Sequence, residues 1–183
     1  MSEYDMSNEF LVKGCKKKDT KAQKQLYDKY SSKMMGVCLR YSDNVEEAED
    51  VLQNGFIKVF ESINKFRGEG SLEGWIRKIM VNSALDNIRR KKARKTNLQL
   101  EEVEYKYAIE DTITGKLDSK VLLKMINTLP VGFRTVFNLY AIEGYTHKEI
   151  AQQLGISENT SKSQYSRARL HLQKMIKHEN VFE

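Results

Sequence analysis

Residues 146–174, with the sequence THKEIAQQLGISENTSKSQYSRARLHLQK, predict two helices joined by a tight turn. Thr146 and Glu149 have the spacing of a capping box, in which two side chains satisfy free backbone amides at the start of a helix. Gly155 can adopt the left-handed backbone that ends a helix, and Ser157 can cap the helix that follows. A short helix, a glycine turn and a longer helix together indicate a helix-turn-helix.

The longer of these helices has two chemically different faces. Its inward face is expected to consist of Ser161, Tyr165, Ala168 and Leu172. Its other face combines cations with hydroxyls: Lys162, Ser163, Ser166 and Arg167. Because no acid lies between Asn159 and Lys174, this face can donate to phosphates and to base edges in a DNA major groove. A face that is merely solvated is the plainer interpretation, but the turn before the helix favours DNA binding.

The rest of the chain also has helical periodicity. Apolar residues at steps of three or four predict two helices within 8–41 and a third after Asp43, which has the spacing of a capping box with Glu46. Residues 64–70 interrupt the pattern, and Ser71 is placed to cap a helix that runs into the basic segment 89–95. Six of the seven residues in that segment are cations, more than a helix dipole requires.

We therefore expect an all-α fold of two small helical domains. Residues 1–95 form the first domain and residues 119–183 form the second, which contains the helix-turn-helix. Residues 96–118 lack regular apolar spacing and are expected to be a flexible linker. Trp75 has two interpretations, a core residue or a platform for stacking bases, and the first is preferred because large aromatic side chains dominate cores.

Composition narrows the possible functions. The chain has 183 residues, one Pro and a net charge of +6, which permits nucleic-acid or anionic-membrane binding. No apolar run approaches the length of a membrane span, and no secretory signal is visible, so we expect no membrane insertion. Cys15 and Cys38 are expected to fill helix interiors. No phosphate loop, nucleophile motif or metal-ligand spacing is found, so neither catalysis nor a cofactor or metal is expected.

Three blocks of this sequence resemble the extracytoplasmic-function (ECF) group of the sigma-70 family of bacterial RNA polymerase sigma factors. Residues 50–60, DVLQNGFIKVF, resemble the core-polymerase-binding helix of the family. Residues 66–90 resemble its −10 recognition block, through Phe66-Arg67-Gly68, Gly74-Trp75-Ile76 and Val81-Asn82-Ser83. Residues 129–169 resemble its −35-reading domain. The blocks stand in the family's order and span nearly the whole chain.

The resemblance implies a role for individual residues. Core polymerase, through the clamp coiled coil of its largest subunit, would be bound by Asp50, Gln53, Asn54 and Ile57. The −10 element would be bound by Lys65, Phe66, Ser71, Lys78, Asn82, Asp86, Arg89 and Arg90. The −35 element would be bound by Arg134, Thr160, Lys162, Ser163, Ser166 and Arg167. In the family an acid is frequent at the position of Asn54, an aliphatic residue is usual at Ser161, Leu or Ile at Tyr165, and Arg is frequent at Gln164.

The function implied is that of a cytoplasmic transcription initiation factor, monomeric when free, which takes core RNA polymerase to promoter DNA and helps to open the −10 region. An anti-sigma factor is an optional further partner. The alternative is a stand-alone helix-turn-helix regulator, in which residues 1–91 would serve as a dimer or ligand module. The sequence motifs do not support a third class, a nucleic-acid enzyme.

Overall fold

The computed structural model describes residues 7–96 and 119–178. Within these two ranges every regular element is helical, which confirms the all-α prediction. The chain divides into two compact units, Met1–Gln99 and Leu100–Glu183. The predicted linker lies outside the described residues except for its first residue, Thr96, and the exact domain boundaries stay a prediction.

Residues 7–96 of the first unit form four α-helices. They are α1 (Asn8–Lys16), α2 (Thr20–Leu39), α3 (Val45–Ser62) and α4 (Leu72–Thr96), with a 3-10 turn at Ile63–Lys65. The residues predicted at steps of four on α2 are buried, Leu26 and Met34 among them. Gly55 allows α3 to approach α4 closely, because a Cβ atom there would lie 2.2 Å from the sulfur of Met80. The two predicted helices within 8–41 are confirmed.

The predicted capping box at the start of α3 is wrong by one residue. Asn44, rather than Asp43, caps the helix by accepting from the backbone N–H of Glu47 at 2.8 Å. The carboxylate that reaches back belongs to Glu47 instead of Glu46, and it accepts from the backbone N–H of Asp43 at 2.9 Å. Asp and Asn are both good caps, and two glutamates follow them, so two registers satisfy the same pattern.

The described part of the second unit, residues 119–178, also forms four α-helices. They are α5 (Ser119–Asn127), α6 (Val131–Phe137), α7 (His147–Leu154) and α8 (Glu158–His178), with a π-helical turn at Asn138–Ile142 that continues α6. Part of its core consists of Met125, Ile126, Leu129, Ala168 and Leu172. The π turn has no counterpart in the sequence-based expectations, since a single i→i+5 turn leaves no distinctive residue pattern.

The helix-turn-helix forms as predicted. Thr146 accepts from the backbone N–H of Glu149, and the Glu149 carboxylate accepts from the backbone N–H of Thr146, so the capping box is complete. Gly155 ends α7 with a φ of 65°, in the left-handed region. Ser157 accepts from the backbone N–H of Thr160 at 3.0 Å at the start of α8. These local bonds set the turn between α7 and α8.

Candidate nucleic-acid interface

The outer face of α8 is exposed and consists of the residues predicted from the sequence. Lys162, Ser163, Ser166 and Arg167 are all exposed, whereas Ser161 and Ala168 are completely buried on the opposite side. Since α8 is 21 residues long and its inner side packs on α6 and α7, its outer side presents a continuous row of donors. This geometry suits insertion into a DNA major groove.

Local bonds organise the first turns of α8. Lys162 forms an ion pair of 2.8 Å with Glu158, four residues earlier, and the Ser163 hydroxyl donates to the backbone oxygen of Thr160. The hydrogen bond and charge of Lys162 lower the pKa of the Glu158 carboxyl. Glu158 therefore holds the Lys162 ammonium in the free protein, while the Lys162 side chain remains more than half exposed.

Arg134 does not lie where the resemblance implies. It was expected to contact the DNA backbone, but it is only 3% exposed, on α6. Its Nη1 donates to the backbone oxygen of Asn127 at 3.2 Å, near the end of α5. In this conformation Arg134 connects α5 to α6, so we do not keep it among the DNA-contacting residues. Thr160 is half-buried, and its hydroxyl lies 2.8 Å from that of Ser157.

A groove between α3 and α4 brings together two of the residues predicted for the −10 element. Lys65 and Asn82 both line this open groove, which has a volume of about 340 Å³. Four further residues that sequence reasoning missed complete its lining: Lys58, Glu61, Ser62 and Ile79. The sequence does contain a pattern for three of them, because Glu61 and Ser62 follow Lys58 by three and four residues and therefore share one face of α3.

The loop after this groove is anchored at both ends. Lys16 at the end of α1 donates to the backbone oxygen of Phe66 at 3.0 Å, and the Phe66 ring packs against Trp75 with centroids 5.4 Å apart. At the other end, Ser71 accepts from the backbone N–H of Gly74, as predicted for a cap. Trp75 is half-buried, so it supports the loop at the edge of the core rather than within it.

The cationic side of α4 continues from the groove. Lys78, Arg89 and Arg90 are exposed, as is Asn82, whereas Asp86 is half-buried and bonds two cations at once. Its carboxylate lies 2.9 Å from the Lys58 ammonium and 2.8 Å from an Arg89 nitrogen. Asp86 therefore holds Lys58 and Arg89 beside the groove, where both can face an anionic ligand.

Lys91 has a different environment from the rest of the basic segment. Its ammonium lies 2.5 Å from Asp43 and 3.0 Å from both carboxylate oxygens of Glu47, and Asn87 also donates to Glu47. Burial by itself would lower the pKa of Lys91, but the hydrogen bonds and charges of the two acids raise it overall. This cation ties α4 to the start of α3.

The residues predicted to meet core polymerase form one exposed strip on α3. Asp50, Gln53, Asn54 and Ile57 are all exposed, and Ile57 is 55% exposed despite being apolar. The Asn54 side chain donates to the backbone oxygen of Asp50 at 2.8 Å. The strip lies opposite the buried residues Val51, Phe56 and Val59, so an apolar side chain is presented among polar ones, as at a protein interface.

Neither a metal site nor a membrane span is found in the described residues. No group of three His, Cys, Asp or Glu side chains in residues 7–96 and 119–178 could hold a metal ion. Over the same ranges, no helix is both long and apolar enough to cross a membrane.

Comparisons with known proteins show the family of this chain. Residues 26–94 match the family model for sigma-70 region 2, and residues 119–172 match that for sigma-70 region 4. The ECF RNA polymerase sigma factor SigW of Bacillus subtilis is 30% identical over 182 residues, which cover 91% of this chain and 95% of SigW. This chain belongs to the sigma-70 family. Within it, the relatives place the chain in the ECF group, and it is a transcription initiation factor.

Further proteins are similar to this chain over comparable lengths. The ECF RNA polymerase sigma factor SigM of Mycobacterium tuberculosis is 28% identical over 97% of this chain and 89% of SigM. The sigma factor RpoE of Bartonella quintana, solved in complex with the anti-sigma factor NepR, has 25% identity and a TM-score of 0.52, covering 84% of this chain and 96% of that one. CnrH, solved with the cytosolic domain of CnrY, shares the fold at 20% identity and a TM-score of 0.50, over 92% of this chain and 96% of CnrH.

Proposed function

We propose that this sigma factor uses three separate surfaces in succession: the α3 strip to dock on core RNA polymerase, the α3–α4 groove to capture the −10 element, and the outer face of α8 to read the −35 element. The observation that carries the proposal is the exposure of all three surfaces, each with a chemistry that suits its target. The α3 strip mixes polar groups with one apolar side chain, whereas both DNA-directed surfaces are rich in donors.

Reading of the −35 element rests on the outer face of α8. Arg167 and Lys162 can reach guanine edges or phosphates, and Ser163 and Ser166 can donate to or accept from either. The capping bonds around Ser157 fix the end of α8 that leads into this face. Phosphate contacts set the position of the helix, and base contacts select the promoter.

Capture of the −10 element rests on the α3–α4 groove. An enzyme or factor that acts on an unpaired base needs a recess for the base and cations for the backbone. Asn82 offers an amide for a base edge, Ile79 offers an apolar surface, and Lys58 and Lys65 offer positive charge. Phe66 lies at the start of the loop that follows the groove, where its ring packs against Trp75 and its backbone oxygen accepts from Lys16.

The protein acts in the cytoplasm, where promoter DNA and polymerase are found, and it is a monomer until it binds core. It carries out no catalysis itself and needs no cofactor. An anti-sigma factor is a further partner, by analogy with the solved complexes of related sigma factors. Docking of such a partner would compete with polymerase or with DNA for the same surfaces.

Variants of the three surfaces test the proposal. Asp50→Lys combined with Gln53→Ala should weaken binding to core polymerase, Asn82→Ala should slow promoter opening, and Arg167→Ala should remove −35 dependence. Core binding is measured by native gel or anisotropy, opening by permanganate reactivity of thymines, and −35 dependence by transcription from templates with and without that element. Arg167→Ala must still bind core.

The control for these variants is another cation on α8. Lys174→Ala changes another exposed cation on α8, one heptad beyond Arg167, and should leave all three steps unchanged. Failure of all three variants at the same step would overturn the assignment of separate roles to these surfaces.

A further inference from the structure

A cluster of aromatic rings lies against the helix-turn-helix and is partly open to solvent: Tyr140 is 38% exposed, and His147 and Tyr165 are half-buried. The cluster consists of Tyr140 in the π turn, His147 at the start of α7 and Tyr165 on α8, and Ser161 on α8 lies next to His147. The Tyr140 and His147 rings are stacked, 4.2 Å apart and inclined by 10°. These residues join the three helical segments that meet at the turn, and none of them belongs to the surfaces described above.

His147 is held at two places on its ring. Its face lies against Tyr140, and its Nδ1 atom lies 2.9 Å from the hydroxyl oxygen of Ser161. Ser161 is completely buried, and a buried hydroxyl needs a hydrogen-bond partner. In a neutral ring with the proton on Nε2, Nδ1 accepts that hydroxyl proton. The adjacent capping box fixes the backbone of His147, so the bond ties the first helix of the motif to the second.

Tyr165 fills the space between these segments. Its ring centroid lies 4.5 Å from that of Tyr140, 5.9 Å from that of His147 and 6.1 Å from that of Phe137. The Arg169 guanidinium lies 6.0 Å from the same ring. Aromatic pairs in this range contribute beyond the area that they bury, because their edges and faces attract. These rings and one hydrogen bond therefore help to position α8, in addition to the apolar core that contains Ala168 and Leu172.

The inner and outer faces of α8 are coupled by helix geometry. Ser161 directly precedes Lys162, and Tyr165 directly precedes Ser166 and Arg167. Adjacent residues on a helix differ by about 100° in direction, so a rotation at the inner face changes where the outer face points. Discrimination between bases needs side chains held in a defined position relative to the groove.

We propose that the His147–Ser161 hydrogen bond and the Tyr140–His147–Tyr165 ring cluster position α8, and thereby determine which bases this sigma factor prefers in the −35 element. His147, Ser161 and Tyr165 are positioning residues, since they lie away from the exposed outer face of α8. The proposal rests on the function proposed for α8 and adds the determinant of its base preference.

The experiment measures base preference in the assembled holoenzyme. A promoter that the wild-type protein recognises is converted to a pool with a fixed −10 element and a randomised −35 element, and transcripts are counted by sequencing. His147→Ala and Ser161→Ala should each change the relative output of the preferred templates by about tenfold at one or more positions, because base contacts supply discrimination of this size. Core binding and opening should stay unchanged.

Two further comparisons separate positioning from simple stability. The double variant should behave like His147→Ala alone, because the bond that Ser161→Ala breaks is already lost when His147 is removed. Ser161→Ala removes only one oxygen, so it remains informative if His147→Ala fails to fold. His171→Ala is the matched control, because it removes another ring contact of α8, with Phe133 at 6.0 Å, outside the ring cluster. It should keep the wild-type preference.

The outcomes distinguish this inference from the function on which it rests. A wild-type holoenzyme without any −35 preference would overturn the role proposed for α8. A wild-type preference that persists in His147→Ala and Ser161→Ala, with output lowered equally on all templates, would overturn only the positioning role. Effects of the two changes that simply add would also contradict it.

Discussion

Cys15 and Cys38 act as apolar core residues, as the sequence indicated. Both are buried and unpaired in the first unit. Burial raises the pKa of the Cys15 thiol, and it raises the pKa of Cys38 to about 12. A thiol reacts as its thiolate, so both burial and the raised pKa protect these side chains.

This protection gives a prediction for thiol chemistry. At neutral pH the native protein should react with a disulfide reagent only as fast as it opens or unfolds, whereas both thiols should react at once in denaturant. Absorbance at the released chromophore measures the rate. Rapid reaction of either thiol in the native protein would contradict the burial of Cys15 and Cys38.

Lys91 gives a second prediction for a single residue. Lys91→Ala should lower the free energy of unfolding by about 1 kcal/mol, because the ion pair is partly exposed and screened by solvent. Arg94→Ala, which changes an exposed cation one turn further along α4, should leave stability nearly unchanged. Urea unfolding followed by circular dichroism measures both variants, and an equal loss in the two would contradict the structural role of Lys91.

The pH dependence of the Lys91 contribution has a defined sign. The pKa of Lys91 is higher in the folded protein than in the unfolded chain. The contribution is therefore complete at neutral pH and is lost as the pH rises through the raised pKa. The difference in stability between wild type and Lys91→Ala should thus shrink only in strongly alkaline solution.

The environments of some residues could be predicted from the sequence, and those of others could not. The exposed positions on α8 followed from helical spacing alone, because alternation of faces is a local property. The burial of Arg134 could not be predicted from helical spacing. An arginine in a −35 domain is expected to contact DNA, and its hydrogen-bond partner on α5 is known only once the helices are packed. Lys91 likewise looked like its cationic neighbours until the fold brought Asp43 and Glu47 to it.

At the level of helices and turns, Gly155 fixes the angle between α7 and α8. Gly155→Ala should destabilise the second unit by about 1 kcal/mol, because a side chain disfavours a positive φ. Among the described residues, and apart from its own chain neighbours, no atom lies within 4 Å of a Cβ placed there, so the cost comes from the backbone conformation. Gly36→Ala is the matched control, since it lies inside α2 in equally open space and should stabilise the protein by about 0.5–1 kcal/mol.

Thermal unfolding of the two variants measures these opposite effects. The predicted signs differ although the substitution is the same, which separates backbone conformation from the gain of a methyl group. Stabilisation by Gly155→Ala would contradict the left-handed turn.

Helices with strong local signals could be predicted from the sequence, and junctions between them could not. The capping box at Thr146, the turn at Gly155 and the cap at Ser157 use neighbouring residues, so their pattern is sufficient. The start of α3 offered two equivalent registers, and the π turn at Asn138–Ile142 depends on how α6 packs. The α3–α4 groove could not be predicted from local patterns, because it forms only where α3 and α4 pack together.

At the scale of the whole molecule, promoter binding by the holoenzyme should weaken steeply with salt. Cations that neutralise phosphates release counterions, so the logarithm of affinity falls linearly with the logarithm of salt concentration. Arg90→Ala should reduce that slope by about one unit. Lys91→Ala should leave the slope unchanged, because Lys91 is paired with Asp43 and Glu47. Filter binding at several salt concentrations measures the slopes, and a loss of slope with Lys91→Ala would contradict this division of the basic segment.

The central claim, initiation at specific promoters through two DNA-reading surfaces, is tested most directly by reconstituted transcription. The purified protein is mixed with sigma-free core polymerase and sheared genomic DNA of its source, and the 5′ ends of the RNA are sequenced. The account predicts discrete start sites preceded by two shared elements, at about −10 and −35, that disappear when the protein is omitted. Active core polymerase that yields no protein-dependent start sites would contradict it.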